Sequence, residues 1–132
     1  MNNPVKNIIK ISLMVLIITP LLIMAISDET DPMKKLYENK GFGVYFLFYS
    51  DGNGTDNNGV VIFIRNKNEF DIAFEFVLVF RAGDVDKEQK VSGTLMAGER
   101  RTGSDNGLFF IPFDDHRSIG EVGIKSCRQR KR

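Results

Sequence analysis

A small all-β domain, an antiparallel β-sandwich of six or seven strands, is what this 132-residue sequence predicts. Three observations carry that reading. First, apolar residues occupy every even position from Phe70 to Phe80, with Asp71 and Glu75 at odd ones between them. A period of two over that length fits a half-buried strand, not a helix. Second, all eleven phenylalanines lie between Phe42 and Phe113, and aromatic residues favour strands. Third, runs of turn formers divide this region into short segments at fairly regular spacing, the pattern of a sandwich.

The elements follow in order. Residues 11–26, ISLMVLIITPLLIMAI, carry no charge; Lys6 and Lys10 precede them, and Asp28, Glu29 and Asp31 follow. That is the layout of a secretory signal, and Ala25-Ile26-Ser27 suits cleavage after Ser27. As a helix, residues 8–26 span about 28 Å, close to the roughly 30 Å hydrocarbon core. The same segment therefore also reads as a retained N-terminal hydrophobic helix. Either way the positive residues stay cytoplasmic. The C-terminal domain is then extracytoplasmic if anchored, or secreted or periplasmic if released.

Residues 1–27 are thus a signal peptide or membrane anchor. Residues 28–41, polar and containing Pro32 and Gly41, read as a linker. Residues 42–126 read as the sandwich domain. Its strands are expected at 42–49, 59–65, 70–80, 90–97, 108–113 and 119–126, with Pro112 pushing the fifth toward an edge. The odd face of the 70–80 strand turns apolar at Val77 and Val79 and is either covered by the chain itself or presented to a partner. Residues 127–132, CRQRKR, read as a basic tail.

Six short strands over about this length resemble an immunoglobulin-like or fibronectin-III-like domain. The likeness is architectural: the tryptophan and paired cysteines of antibody domains are absent, with no Trp and only Cys127. Such a likeness implies a fold and no function.

Charge narrows the function classes. The net +1 divides into +2 for residues 1–27, −6 for residues 28–124 and +5 for residues 125–132. An acidic body argues against nucleic acid as a partner. His116 is the only histidine, so no histidine pair for a metal exists. Asp114-Asp115-His116-Arg117 has acid–base groups, but a hydrolytic site also needs Ser104 or Cys127 beside His116.

Two loops carry candidate binding chemistry. Asp51, Asn53, Thr55 and Asp56 alternate oxygen ligands as calcium loops do, although Asp56 stands where an EF-hand needs Gly, and Ile62 where it needs Glu. Asn53-Gly54-Thr55 is also a glycosylation sequon. Arg100 and Arg101, in a glycine-rich loop, suit an anion. No sequence signature calls for a cofactor.

The expectation is a non-catalytic exported or membrane-anchored module with a structural or protein-interaction role. It would meet a protein partner through loops or a free strand edge, and the membrane through residues 8–26 if uncleaved. The second expectation is an extracytoplasmic domain binding a small ligand or an ion, calcium or an anion. An enzyme is the least expected class.

Overall fold

A computed structural model describes residues 33–52 and 56–132. The signal or anchor assigned to residues 1–27 lies outside the described residues. Among the described residues no helix is long and apolar enough to cross a membrane.

Residues 33–132 are all-β and form two antiparallel sheets. The strands are β1 (Lys34–Asn39), β2 (Phe42–Tyr49), β3 (Gly59–Asn66), β4 (Ile72–Ala82), β5 (Val85–Leu95), β6 (Arg100–Thr102), β7 (Phe109–Phe110) and β8 (Glu121–Lys131). Sheet A runs β1-β2-β3, with β6 and β7 both pairing with the far side of β3. Sheet B runs β5-β4-β8.

Short-range chemistry sets the hairpins. Lys40 and Gly41 both have positive φ, 48° and 78°, between β1 and β2. That is the primed two-residue turn whose twist matches flanking strands. Gly83, φ 62°, opens the two-residue turn in which Ala82 pairs with Val85.

Directly paired residues share a face, so the registers define the core. Phe42, Val44 and Phe46 of β2 and Val60, Ile62 and Ile64 of β3 face inward, all buried. The even residues of β4, Ile72 to Phe80, meet them from sheet B. Phe42 stacks on Phe74 at 5.3 Å and lies 6.3 Å from Phe76. Phe80 meets Phe110 at 6.0 Å. These contacts between rings of opposite sheets hold the layers together.

Three boundaries differ from the sequence reading. The linker contains β1, whose Lys-Lys-Leu-Tyr-Glu-Asn has no alternation but pairs with β2 along its length. Residues 82–89, between the strands expected at 70–80 and 90–97, are mostly the first half of β5, an exposed edge strand whose charged side chains face water. The basic tail is the second half of β8. Arg128, Gln129, Arg130 and Lys131 pair with Glu75, Phe74, Ala73 and Ile72.

The outer edge of sheet A is one strand with a break. Phe63 pairs with Thr102 and Val61 with Phe109, so Ile62 alone faces the six residues 103–108. The excursion closes on itself: Gly103 bridges Leu108, and a single 3₁₀ turn fills Ser104–Asn106. Thr102 Oγ1 donates to the Ile62 carbonyl at 2.9 Å, and Ile62 N–H donates to the Leu108 carbonyl at 2.8 Å.

Val77 and Val79 lie on the outer face of sheet B. Both are half-buried, and ion pairs from the chain itself lie across the strands around them. Arg81 bridges Asp86 at 2.9 Å and Glu121 at 3.3 Å. Lys125 reaches Glu88 at 2.8 Å, and Glu75 holds Arg128 at 2.7 Å and Lys90 at 3.5 Å. Lys125 is the extra residue of a bulge, since Ser126 pairs with Val77 and Ile124 with Leu78. A bulge re-aims a side chain, here across the sheet to β5.

This lattice sets an acid response. The hydrogen bond from Arg128, then the charge of Lys90, holds the Glu75 carboxyl below its ordinary 4.5. The hydrogen bond from Arg81 holds Asp86 below its ordinary 3.8. A carboxyl with a lowered folded pKa contributes stability above its unfolded value and loses it as pH falls through the folded one. The melting temperature is therefore expected to hold near neutral pH and to decline below about pH 4.5. Glu75→Gln should flatten that decline; melts at stepped pH measure it.

Candidate functional site

Two regions hold chemistry at the surface: a polar cluster at one end of the sandwich and the outer face of sheet A.

The cluster joins the β2–β3 loop to the β7–β8 connection. Asn58, fully buried, donates from Nδ2 to Asp51 Oδ1 at 2.6 Å, and Asp51 N–H donates to Asn58 Oδ1 at 3.0 Å. His116 Nδ1 lies 2.6 Å from Asp51 Oδ2, across 65 residues of sequence. The Asp51 side chain is only 10% exposed. His116 holds φ 56°, a conformation uncommon for a side-chain-bearing residue. Asn57 N–H donates to Ser50 Oγ at 2.9 Å, Ile119 N–H donates to the Asn57 carbonyl at 2.9 Å, and Ser118 Oγ donates to the Asp56 carbonyl. Asp115 and Arg117 form their own pair at 2.6 Å, which lowers the Asp115 pKa through the hydrogen bond from Arg117.

An aspartate orienting a histidine is two parts of a catalytic triad. Of the nucleophiles the sequence offers, Cys127 sits six residues into β8 from Glu121, roughly 20 Å along the strand. It pairs with Phe76 there, and burial pushes its thiol pKa up. Ser104 opens the 3₁₀ turn on the β6–β7 edge. The contacts described make Asp51–His116 a latch between two loops. His116→Ala is expected to cost about 1.5–3 kcal/mol, the worth of a hydrogen bond to a charged group, read as a shifted denaturant midpoint.

For the calcium reading, Asn53 and Thr55 lie outside the described residues. Asp51 has one oxygen facing Asn58 and the other facing His116, and Asp56 is exposed. Among the described residues no group of three or more metal-ligating side chains converges.

For the anion reading, Arg100 pairs with Arg65 and Arg101 with Ile64. Neighbouring residues on a strand point to opposite faces, so the two arginines do not form one fork. Arg101 is held by Glu99, Nε to Oε2 at 2.7 Å and a second contact at 3.3 Å. That hydrogen bond, with one from the Met96 backbone, lowers the Glu99 pKa.

The outer face of sheet A is different in kind. The registers place Tyr45 beside Phe63, Leu47 beside Val61, and Val61 beside Phe109, with Tyr49 over Gly59. Tyr45 meets Phe63 edge-on at 6.2 Å, and Tyr49 meets Phe109 at 5.1 Å. Five of the six are half-buried and Tyr49 is 46% exposed. They form one connected apolar stripe.

No protein-family model matches the chain, and no curated protein matches it in sequence.

The stripe is held in place by its polar border. Tyr45 Oη donates to Glu38 Oε2 at 2.7 Å and accepts from Arg65 Nη2 at 3.3 Å. Arg65 also sits 5.7 Å over the Tyr45 ring. The Tyr45 hydrogen bond, then the charge of Lys67, holds Glu38 below the usual carboxylate range. Burial, then the bond to Glu38, pushes the Tyr45 phenol up. Gly43 makes the arrangement possible: a Cβ there would lie 2.6 Å from Tyr45 Oη. Lys35, paired with Tyr45, and Arg100, paired with Arg65, complete a border that is mainly basic.

Sequence reading missed this face. Residues 42–49 and 59–65 are apolar on both sides, which hides the alternation that marks an outward residue. The two glycines beside the tyrosines, Gly43 and Gly59, were the available signal.

Proposed function

We propose that this chain is a non-catalytic, exported or membrane-anchored β-sandwich module with a structural or interaction role, working through the outer face of sheet A. The observation that carries the reading is the contrast between its two outer faces. Sheet B carries its own lattice of opposite charges. Sheet A leaves two tyrosines, two phenylalanines, Leu47 and Val61 beside arginine. Aromatic residues and arginine are the types enriched where surfaces meet.

The export reading rests on the sequence of residues 1–31. The immunoglobulin-like reading is supported by two antiparallel sheets around one core. The consecutive order β1-β2-β3 departs from it, because immunoglobulin sheets pair their second strand with the fifth. The ion- and ligand-binding alternative gains no specific observation.

Photo-crosslinkers placed singly at Phe63 and at Val77 in the full chain, in its native membrane fraction, test the proposal. Adducts are expected from position 63 and not from 77. Adducts from 77 alone, or from neither position, would overturn it.

A further inference from the structure

We infer that the free edge of β5 pairs antiparallel with β5 of a second copy, joining the two B sheets into one across a two-fold axis at Gln89. The inference goes beyond the working face proposed for sheet A and does not depend on it.

The sheet edges differ in continuity. Sheet A ends on β1, which has a bulge at Leu36, and on β6 and β7, separated by residues 103–108. Sheet B ends on β8, bulged at Lys125, where Gln129 Nε2 also donates to the Asn39 carbonyl at 2.7 Å. β5 is the exception. It pairs with β4 through eleven residues without a shift of register, and among the described residues no strand lies on its other side. An edge of that length presents a row of backbone donors and acceptors to another strand.

The hairpin fixes which groups these are. Val85 closes the two-residue turn opposite Ala82, and the closing pair of such a turn exchanges both its backbone bonds. Alternation then turns the N–H and C=O of Asp86, Glu88, Lys90, Ser92 and Thr94 away from β4. In the single chain the Gln89 side chain takes up one of them, Nε2 donating to the Lys90 carbonyl at 3.1 Å.

Charge selects the register. β5 carries Asp86, Lys87, Glu88 and Lys90, all exposed. Antiparallel pairing about Gln89 sets Glu88 opposite Lys90 twice, Asp86 opposite Ser92 and Lys87 opposite Val91, with Asp84 of the turn opposite Thr94. No like charges are opposed. Centring the pairing on Lys87, Glu88 or Lys90 would set that residue against its own copy, and like charges directly opposite are destabilising. Lys87, which shares the core-facing side with Phe80, makes misaligned pairing costly.

The outer face of sheet B gains from the same register. Lys125 reaches Glu88 at 2.8 Å, and Glu75 holds Lys90 at 3.5 Å and Arg128 at 2.7 Å. Across the joint these become one row alternating in sign: Lys125 and Glu88 of one copy, then Lys90, Glu75 and Arg128 of the other. Exposed pairs are weak singly. They choose the alignment, and about eight backbone hydrogen bonds make the attachment. The pairing closes by symmetry, since both copies use the same edge. Its axis stands perpendicular to the sheet, because the even residues of both strands share a face. Both copies therefore turn the outer face of sheet A the same way.

Disulfide trapping in the full chain, in its native membrane fraction, provides the test. In a Cys127→Ser background each variant carries one cysteine. The two Gln89 positions meet as a non-hydrogen-bonded pair with Cα atoms roughly 4.5 Å apart, within reach of a disulfide. On mild oxidation Gln89→Cys is expected to form a covalent dimer about tenfold faster than Lys87→Cys or Val91→Cys alone. Co-expressing the latter two should restore trapping, because they face each other. Glu88→Lys or Lys90→Glu, added to Gln89→Cys, should each slow trapping about tenfold, since either sets two like-charged pairs across the joint. Chains with Glu88→Lys co-expressed with chains with Lys90→Glu should recover it, because opposite charges meet again while each chain keeps its own internal losses.

Equal trapping at 87, 89 and 91 would mean chance collision and would overturn the inference. So would absence of trapping at 89, or charge variants that melt like their parent yet fail to recover on co-expression.

Discussion

Phe76→Ala is expected to destabilise the domain by about 3–5 kcal/mol, the cost of removing a fully buried aromatic side chain. Phe76 is fully buried on the central strand of sheet B, 6.3 Å from Phe42 across the core and 5.8 Å from Phe74 on its own strand. Truncation leaves a void between two sheets held by their strand registers, which limits collapse into the gap. A domain of this size has roughly 5–15 kcal/mol of total stability. Each kcal/mol shifts its melting temperature by about 4–8 °C, so a fall of about 12–40 °C follows. Val77→Ala, one residue on but on the half-buried outer face, should cost about 1 kcal/mol or less. Thermal melts of the two variants side by side measure the difference between the faces of one strand.

Asn66→Leu is expected to cost about 3 kcal/mol or more, although it keeps the branching and the number of side-chain heavy atoms. Asn66 is fully buried and its amide is used at both ends. Nδ2 donates to the Phe70 carbonyl at 2.9 Å and the Met96 carbonyl at 3.1 Å. Oδ1 accepts from Asn68 N–H and Nδ2, both at 3.0 Å. Leucine would leave these groups unpaired, at about 1–3 kcal/mol for each that stays buried. The loss should show as a denaturant midpoint shifted at unchanged slope. Faster amide exchange should appear around residues 67–71 and 96–99, the two connections that Asn66 joins. A loss comparable with an exposed-site substitution would mean that water replaces the amide.

These two positions show unequal legibility. Phe76 belongs to the alternation of residues 70–80, so its burial was readable directly. Asn66 sat between the strands expected at 59–65 and 70–80, where nothing in the sequence distinguishes a buried asparagine from a solvated one. Its partners Phe70 and Met96 come from two different loops. The same limit applies to the polar cluster. Asp51 and His116 were each visible, one in a candidate calcium loop and the other in a charged turn. Their contact depends on tertiary packing.

Strand ends were misread where position overrode composition. The run Asp86-Lys87-Glu88-Gln89 resembles a loop and forms an edge strand, because an edge needs few apolar side chains. Arg128, Arg130 and Lys131 resemble a solvated tail and continue β8, because β4 offers partners as far as Ile72.

The broken edge of sheet A bears on crowding. Copies held in one membrane, the anchored form of our proposal, would meet at high two-dimensional density, the circumstance in which open sheets template one another and polymerise. An incoming strand could pair with β6 or with β7, but the six residues 103–108 interrupt any continuous ladder. The opposite edge, β1, is six residues long with a bulge at Leu36. Short, bulged or interrupted edges are how open sheets resist strand addition. Replacing residues 103–108 with a single residue opposite Ile62 would restore a continuous edge, and strand addition between copies is then the expected result.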